Sequence, residues 1–376
     1  MLSNAFRPAS QDIALVDPPP DSISRIKFSP TSNLLAVASW DNAVRLYQVD
    51  QQGQSMMQGK LSHNAPVLDV TWTENGSHLC AAGCDNMATL YDAQTGTPQQ
   101  VAQHDAPIKC VEFVNAKGTN VLATAGWDNK LKYWDIRQGQ TPAMTIDLGD
   151  RAYSMDATKE LMVVATANRR LKIIYPDERP EMIFKDVESP LKWQTRVVSC
   201  FPTGHTYAVG SIEGRVAIQY PKEIDDKKNY SFKCHRYDIP SGSMPGTPAV
   251  FNTATSQNSQ NVFAVNTITF HKVHGTFCTG GSDGSITFWD GIGRTKVKAF
   301  TLKELNNGDS DARPPQWGTP VVSTAFNHNQ EIFAYALSYD WAKGHGGAPP
   351  PGQNPTKVML HSVKPDEVRK KDKLGR

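Results

Sequence analysis

The sequence predicts an all-β protein, a seven-bladed β-propeller closed by a strand from its own N-terminus. One motif recurs along the 376 residues: a strand, a tight turn, and a second strand with an aromatic end. It is fullest at Ala125-Gly126-Trp127-Asp128-Asn129, leading to Tyr133-Trp134-Asp135. It returns at Trp40-Asp41-Asn42, Cys84-Asp85-Asn86 and Ser282-Asp283-Gly284, with degenerate copies at Asn168-Arg169-Arg170 and Ile212-Glu213-Gly214-Arg215 and a seventh near Ser338-Tyr339-Asp340. Asp and Asn suit such turns because they tolerate positive φ and bond their own backbone. The spacing is the second observation: Asp41 to Asp85 is 44 residues, Asp85 to Asp128 is 43, Asp128 to Asn168 is 40 and Asn168 to Glu213 is 45. A strand-rich period of about 40–45 residues is that of a four-stranded propeller blade. The third is a spare strand. Residues 11–16 carry a strand pattern, and Pro18-Pro19-Pro20 cuts them off from the first full unit.

Each unit opens alike, with a strand running into a polar turn: Ile23 to Pro30, Val67 to Gly76, Ile108 to Gly118, Arg151 to Lys159, Arg196 to Gly204, Asn266 to Gly275 and Val321 to Gln330. The fourth is the weakest. One such unit cannot cover both faces of its own sheet, so the units stack around a ring. An unclosed ring would leave an edge of unpaired backbone, and residues 11–16 are assigned as the clasp on the last blade. The step from Glu213 to Asp283 is 70 residues and that from Asp283 to Asp340 is 57, so loop insertions are placed at about 222–261 and 342–356. Within them, residues 240–261 are rich in Ser, Thr, Gly, Pro, Asn and Gln and bury too little apolar area to fold alone. Residues 1–10 read as a flexible tail, 11–363 as the propeller and 364–376 as a basic C-terminal tail.

A formal charge of +2 supplies no global field for nucleic-acid binding, so any basic surface must be local. The six cysteines fall mostly in apolar strands and read as buried reduced thiols; Cys80 and Cys84 make only one of the two pairs a zinc site needs. No signal-peptide core and no apolar run of about 18 residues appears, which predicts a protein of a reducing compartment with no membrane partner.

His104, Asp128 and Trp134 have the order of a buried hydrogen-bonded chain that propeller blades often carry, and His63 precedes Asp85 by a similar distance. Two residues before Asp128 stands Gly126, so this network is expected to lack its hydroxyl. The expected role is blade glue rather than a catalytic His–Asp pair, because a buried imidazole needs its polar atoms satisfied. No Gly-x-Ser-x-Gly elbow and no phosphate loop is present, Gly291-Ile292-Gly293-Arg294 lacks the rest of a dinucleotide fingerprint, and His271 and His274 sit in a turn. No enzyme, metal or cofactor is predicted.

Aromatic and basic residues gather in the later units: Arg215 after the Glu213-Gly214 turn, Phe232 with Lys233 and Arg236, and Trp289 followed by Arg294, Lys296 and Lys298. These are either core aromatics with solvated charges or a surface that grips a peptide or stacks on single-stranded bases. Composition does not separate the two.

At these residues the chain resembles a WD-repeat family, the mRNA export factors that dock on the GLEBS segment of a nucleoporin, with the BUB-class mitotic-checkpoint protein as sister branch. The resemblance rests on Ser211-Ile212-Glu213-Gly214-Arg215-Val216-Ala217, Phe232-Lys233-Cys234-His235-Arg236 and Gly280-Gly281-Ser282-Asp283-Gly284. The run Ser338-Tyr339-Asp340-Trp341-Ala342-Lys343-Gly344-His345 is similar to the export-factor branch. The resemblance covers about residues 11–363. It implies a non-enzymatic adaptor of the nuclear pore complex, a monomeric propeller within a heterocomplex, that supports mRNA export and shuttles between nucleus and cytoplasm. It also implies that Arg215 pairs with acidic GLEBS residues, and that Phe232, Trp289, Arg294 and Lys296 form an apolar and basic patch for RNA or peptide. Gly291, where a further basic residue would help, weakens the RNA expectation. The alternative is a kinetochore adaptor binding GLEBS-like motifs of checkpoint kinases.

Overall fold

A computed structural model describes residues 12–139, 141–238, 260–305, 318–350 and 356–370. The expected N-terminal tail, most of the 240–261 loop and the last six residues lie outside them. Seven four-stranded antiparallel sheets form the blades, each built from consecutive strands except the last. Blade 1 runs Ile23–Phe28, Leu34–Ser39, Ala43–Val49 and Ser55–Ser62, and the next six repeat the plan. Blade 7 takes Val321–Phe326, Ile332–Leu337 and Lys357–Ser362 from the C-terminal end and Ile13–Ala14 from the N-terminal end. The clasp is there, shorter than the six residues expected: Ile13 faces Leu360, Ala14 faces Met359, and the Leu15 amide donates to the Val358 carbonyl at 2.8 Å.

The turns between second and third strands show why Asp-Asn recurs. Asn42, Asn86, Asn129, Asn168, Gly214 and Gly284 all sit at φ between 57° and 80°, where Asn and Gly are least penalised. In blade 7 the same place is held by Trp341 at φ 59°, a conformation costly for a bulky residue; its ring stacks on Trp40 of blade 1 with centroids 4.7 Å apart. In an up-and-down blade these turns open on the same end of the ring as the links between blades.

The core is a series of apolar layers between neighbouring sheets. Ile26, Leu35, Val37 and Tyr47 of blade 1, for example, pack with Ala334, Ala336, Val358 and Leu360 of blade 7. Five of the six cysteines are buried and all six are unbridged.

One expectation needs correcting. The predicted C-terminal tail begins with a helix, Pro365–Val368, whose Glu367 and Val368 are buried against blades 6 and 7. The His361 imidazole ties both chain ends together, Nδ1 at 2.7 Å from Asp12 and Nε2 at 2.9 Å from Glu367. Burial alone would lower its pKa; the two carboxylates outweigh that and hold it at about 9. Pro365 followed by Asp366 and Glu367 is a helix-start signal, but four residues are too few to show an apolar period, and the helix is buried by contacts with distant strands.

Candidate partner-binding surface

The blade networks decide which polar residues are free for a partner. In blade 3 the His104 Nδ1 lies 2.9 Å from Asp128, its Nε2 2.7 Å from the Thr124 hydroxyl, and the Trp134 indole N–H donates to that same hydroxyl at 2.7 Å. The chain is complete. Its hydroxyl is Thr124, four residues before Asp128, and not the vacant position at Gly126. Gly126 is instead a spacer: a Cβ there would stand 2.7 Å from both His104 Nδ1 and Asp128 Oδ1. Burial lowers the His104 pKa more than Asp128 raises it. In blade 2 the pair is looser, His63 to Asp85 at 3.4 Å, and the place of Thr124 is taken by Ala81, so His63 Nε2 has no partner.

Blade 6 holds a network that sequence reading missed. His235 Nδ1 meets Asp283 at 2.9 Å, His235 Nε2 meets the Thr279 hydroxyl at 3.0 Å, and Trp289 Nε1 donates to Thr279 at 3.0 Å. Ser285 and Tyr237 add hydroxyl bonds to Asp283 at 2.6 Å each. Burial would raise the Asp283 pKa, but His235 and these donors hold it at about 2. The missing signal is distance: His235 stands 48 residues before its carboxylate, against 24 in blade 3.

Trp289 is therefore anchored by its indole N–H and half-buried, rather than a free surface aromatic. Its ring still meets Phe232 at 4.6 Å, Phe232 stacks on Tyr230 at 6.2 Å, and the Arg294 guanidinium lies over Tyr230 at 4.4 Å. Arg294 also donates to the Lys228 carbonyl at 3.1 Å, and Lys296 is exposed opposite Trp289. Phe232, Trp289, Arg294 and Lys296 are thus one flank between blades 5 and 6.

Arg215 is elsewhere. It pairs across the sheet with Lys233, one position from the Val216–Phe232 pair. Alternation puts neighbouring side chains on opposite faces of a strand, so Arg215 and Phe232 stand on opposite faces of blade 5. Arg215 lines a groove of about 680 Å³ with Pro190, Lys192, Trp193, Ile212 and Glu213, closed by Arg236 and Val262. Its side chain keeps 31% of its exposure, and its carboxylate neighbour Glu213 is 3.7 Å away, beyond hydrogen-bond reach. Arg236, by contrast, is spent on the turn, donating to the Glu213 carbonyl at 2.9 Å. The guanidinium fork of Arg215 is the available one.

On the same end of the ring the channel mouth forms a second cavity of about 480 Å³, walled by Trp40, Trp127 and Trp341 and by Arg25, Arg151 and Arg196. Asp340 holds its rim: its carbonyl accepts from Arg196 at 2.6 Å and its carboxylate from Asn266 at 3.1 Å and from the Ser282 hydroxyl. Among the described residues no group of three or more His, Cys, Asp or Glu could hold a metal ion.

Comparison with known proteins now decides the family. Residues 26–116 match the model of the anaphase-promoting complex subunit 4 WD40 domain, and residues 254–290 match the WD domain, G-beta repeat. The poly(A)+ RNA export protein of Schizosaccharomyces pombe is 42% identical over 376 residues, covering 100% of this chain and 97% of the relative. The chain belongs to the WD-repeat mRNA export factor family. The mRNA export factor GLE2 of Chaetomium thermophilum is also 42% identical, over 95% of this chain and 92% of its own length. Protein Rae1 of Drosophila melanogaster is 40% identical over 89% of each. Within this export-factor family a chain of seven blades closed by its own N-terminal strand is thus covered almost end to end.

Proposed function

We propose that this chain is a non-enzymatic adaptor of the nuclear pore complex that supports mRNA export by holding the acidic GLEBS hairpin of a nucleoporin at the Arg215 groove. The reading places it in the nucleus and at the nuclear envelope, as a monomeric propeller within a heterocomplex, with cytoplasmic shuttling. The observation that carries it is the half-exposed Arg215 guanidinium, unspent on any hydrogen bond and set in a groove of three cations and one carboxylate. A planar fork of this kind binds carboxylate in two parallel bonds, which a lysine ammonium cannot reproduce. The names of the relatives, a poly(A)+ RNA export protein and mRNA export factors, support the export role.

Calorimetric titration with a GLEBS hairpin peptide tests it. Truncating one partner of a desolvated charge pair costs about 2–5 kcal/mol, roughly 30- to several-thousand-fold in affinity. Arg215→Glu should abolish binding in a folded protein, Arg215→Lys should be intermediate, and charge reversal on the peptide should partly restore Arg215→Glu. Equal affinity of wild type and Arg215→Glu removes the groove from the function. Nuclear-rim fluorescence in interphase separates this reading from a kinetochore adaptor.

The flank of Tyr230, Phe232, Trp289, Arg294 and Lys296 supports a second, weaker contact with single-stranded RNA, through stacking and the charges of Arg294 and Lys296.

A further inference from the structure

The end of the ring opposite the Arg215 groove carries cations that the blades do not use. Blade 6 turns there twice, from Val265–Phe270 to Phe277–Gly281 and from Ile286–Asp290 to the outer strand Thr295–Phe300. The first turn holds Lys272, Val273 and His274, and the second ends at Arg294 of the aromatic flank. The C-terminal segment is fastened to the same end. The Thr276 hydroxyl donates to the Val368 carbonyl at 2.6 Å in the core, which brings Arg369 and Lys370 beside the first turn.

The frame of this cluster is fixed. His271 is buried, its Nδ1 accepts the His274 amide at 3.2 Å, and the two rings stack with centroids 4.7 Å apart. The Lys272 amide donates to Gln330 Oε1 of blade 7 at 2.9 Å. Lys272, Arg369 and Lys370 are exposed, and among the described residues none of the three makes a salt bridge. The neighbouring carboxylates are engaged elsewhere: Glu367 with His361, Asp290 with the Ile292 and Gly293 amides, Glu331 with the Asn329 amide, and Asp366 acts on Lys298. Burial lowers the pKa of His274, and the charges that add to this, Arg369 and Lys370, are both positive. The sequence continues with Lys371, Lys373 and Arg376 against Asp372 alone. Like charges gathered without a counter-ion suit a polyanion that supplies one.

We propose that Lys272, His274, Arg369 and Lys370 form a phosphate-binding station for single-stranded RNA. The two turns of blade 6 stand two strand spacings apart, about 10 Å. A strand stacked on the Phe232 and Trp289 flank and held by Arg294 thus has its next phosphates within reach of Lys272 and Arg369. Such contacts add affinity without sequence preference. Val273 and Ile292, 73% and 55% exposed on these turns, are two aliphatic tips rather than the broad apolar face that seats a protein on a membrane, so RNA is the better fit. The inference rests on the RNA reading of the flank and lengthens it.

The test follows labelled oligouridine of four and twelve nucleotides by fluorescence anisotropy on the full chain across a salt series. Lys272→Gln with Arg369→Gln and Lys370→Gln, at three exposed positions, removes three phosphate contacts. At about 0.7 per contact, the slope of log affinity against log salt for the longer strand falls by about 2. The gain in affinity from four to twelve nucleotides shrinks with it, while the melting temperature and the hairpin affinity at Arg215 stay as in wild type. An unchanged slope overturns the station, and the flank reading then stands or falls on Arg294→Glu with Lys296→Glu. An unchanged slope together with binding to phosphatidylserine vesicles that Val273→Asp with Ile292→Asp abolishes assigns the cluster to a lipid surface and overturns it equally. Absence of RNA binding by the wild type overturns both the station and the flank.

Discussion

Replacing His361 with Gln should open the ring's clasp from both sides at once. The imidazole sits between Asp12, which belongs to the N-terminal strand segment, and Glu367 of the C-terminal helix, at 2.7 and 2.9 Å, and its pKa stands at about 9 against an ordinary 6.5. A rise of about 2.5 units at 1.36 kcal/mol each corresponds to about 3 kcal/mol of stability carried by the charged form. The folded-state value is the higher one, so this contribution is complete below about pH 6.5 and is lost as pH climbs through about 9. His361→Gln keeps a polar side chain of similar reach but leaves two carboxylates facing no cation. Urea denaturation of wild type and variant at pH 6, 7.5 and 9.5 should therefore show a gap of about 3 kcal/mol at the lowest pH that closes towards the highest. A gap that is constant across that range would mean that the clasp does not depend on the imidazolium, and a negligible gap at pH 6 would mean that strand pairing alone closes the ring.

Two further outcomes follow from the geometry. Thr124→Val strands both His104 Nε2 and the Trp134 indole N–H in the core; at about 1–3 kcal/mol for each unsatisfied group the variant should lose roughly 2–6 kcal/mol, with Thr124→Ser losing much less, as read by thermal or chemical denaturation. The double reversal Arg294→Glu with Lys296→Glu should weaken single-stranded RNA binding and flatten its salt dependence without touching hairpin affinity, because Phe232 and Arg215 face opposite sides of blade 5; filter-binding and calorimetry on one preparation check both, and RNA binding that survives at low salt places the RNA contact elsewhere.

The sequence was most informative where structure is local. A residue that must take positive φ has few choices, and so Asn42, Asn86, Asn129, Gly214 and Gly284 announced the turns and, through their spacing, the blades. The seventh turn was harder to see because Trp341 holds it, and only the Trp40 ring on the neighbouring blade makes sense of that residue. Arg215 was legible as a candidate from its place after the Glu213-Gly214 turn together with the family resemblance.

What the tertiary structure alone decided is which side chains share a space. Thr124 supplies the hydroxyl looked for at Gly126, because register across strands sets who meets His104. Trp289, read as part of a binding patch, is held by Thr279 in a network whose histidine lies beyond an insertion. Trp193, Ile212 and Val262 carry no motif; they line one groove with Arg215 because a blade link, a turn of blade 5 and the small two-stranded sheet after it meet there. Local backbone preference can be written in a few consecutive residues, whereas convergence is a property of the closed ring. That is why the architecture was visible in the order of the residues and the shape of the groove was not.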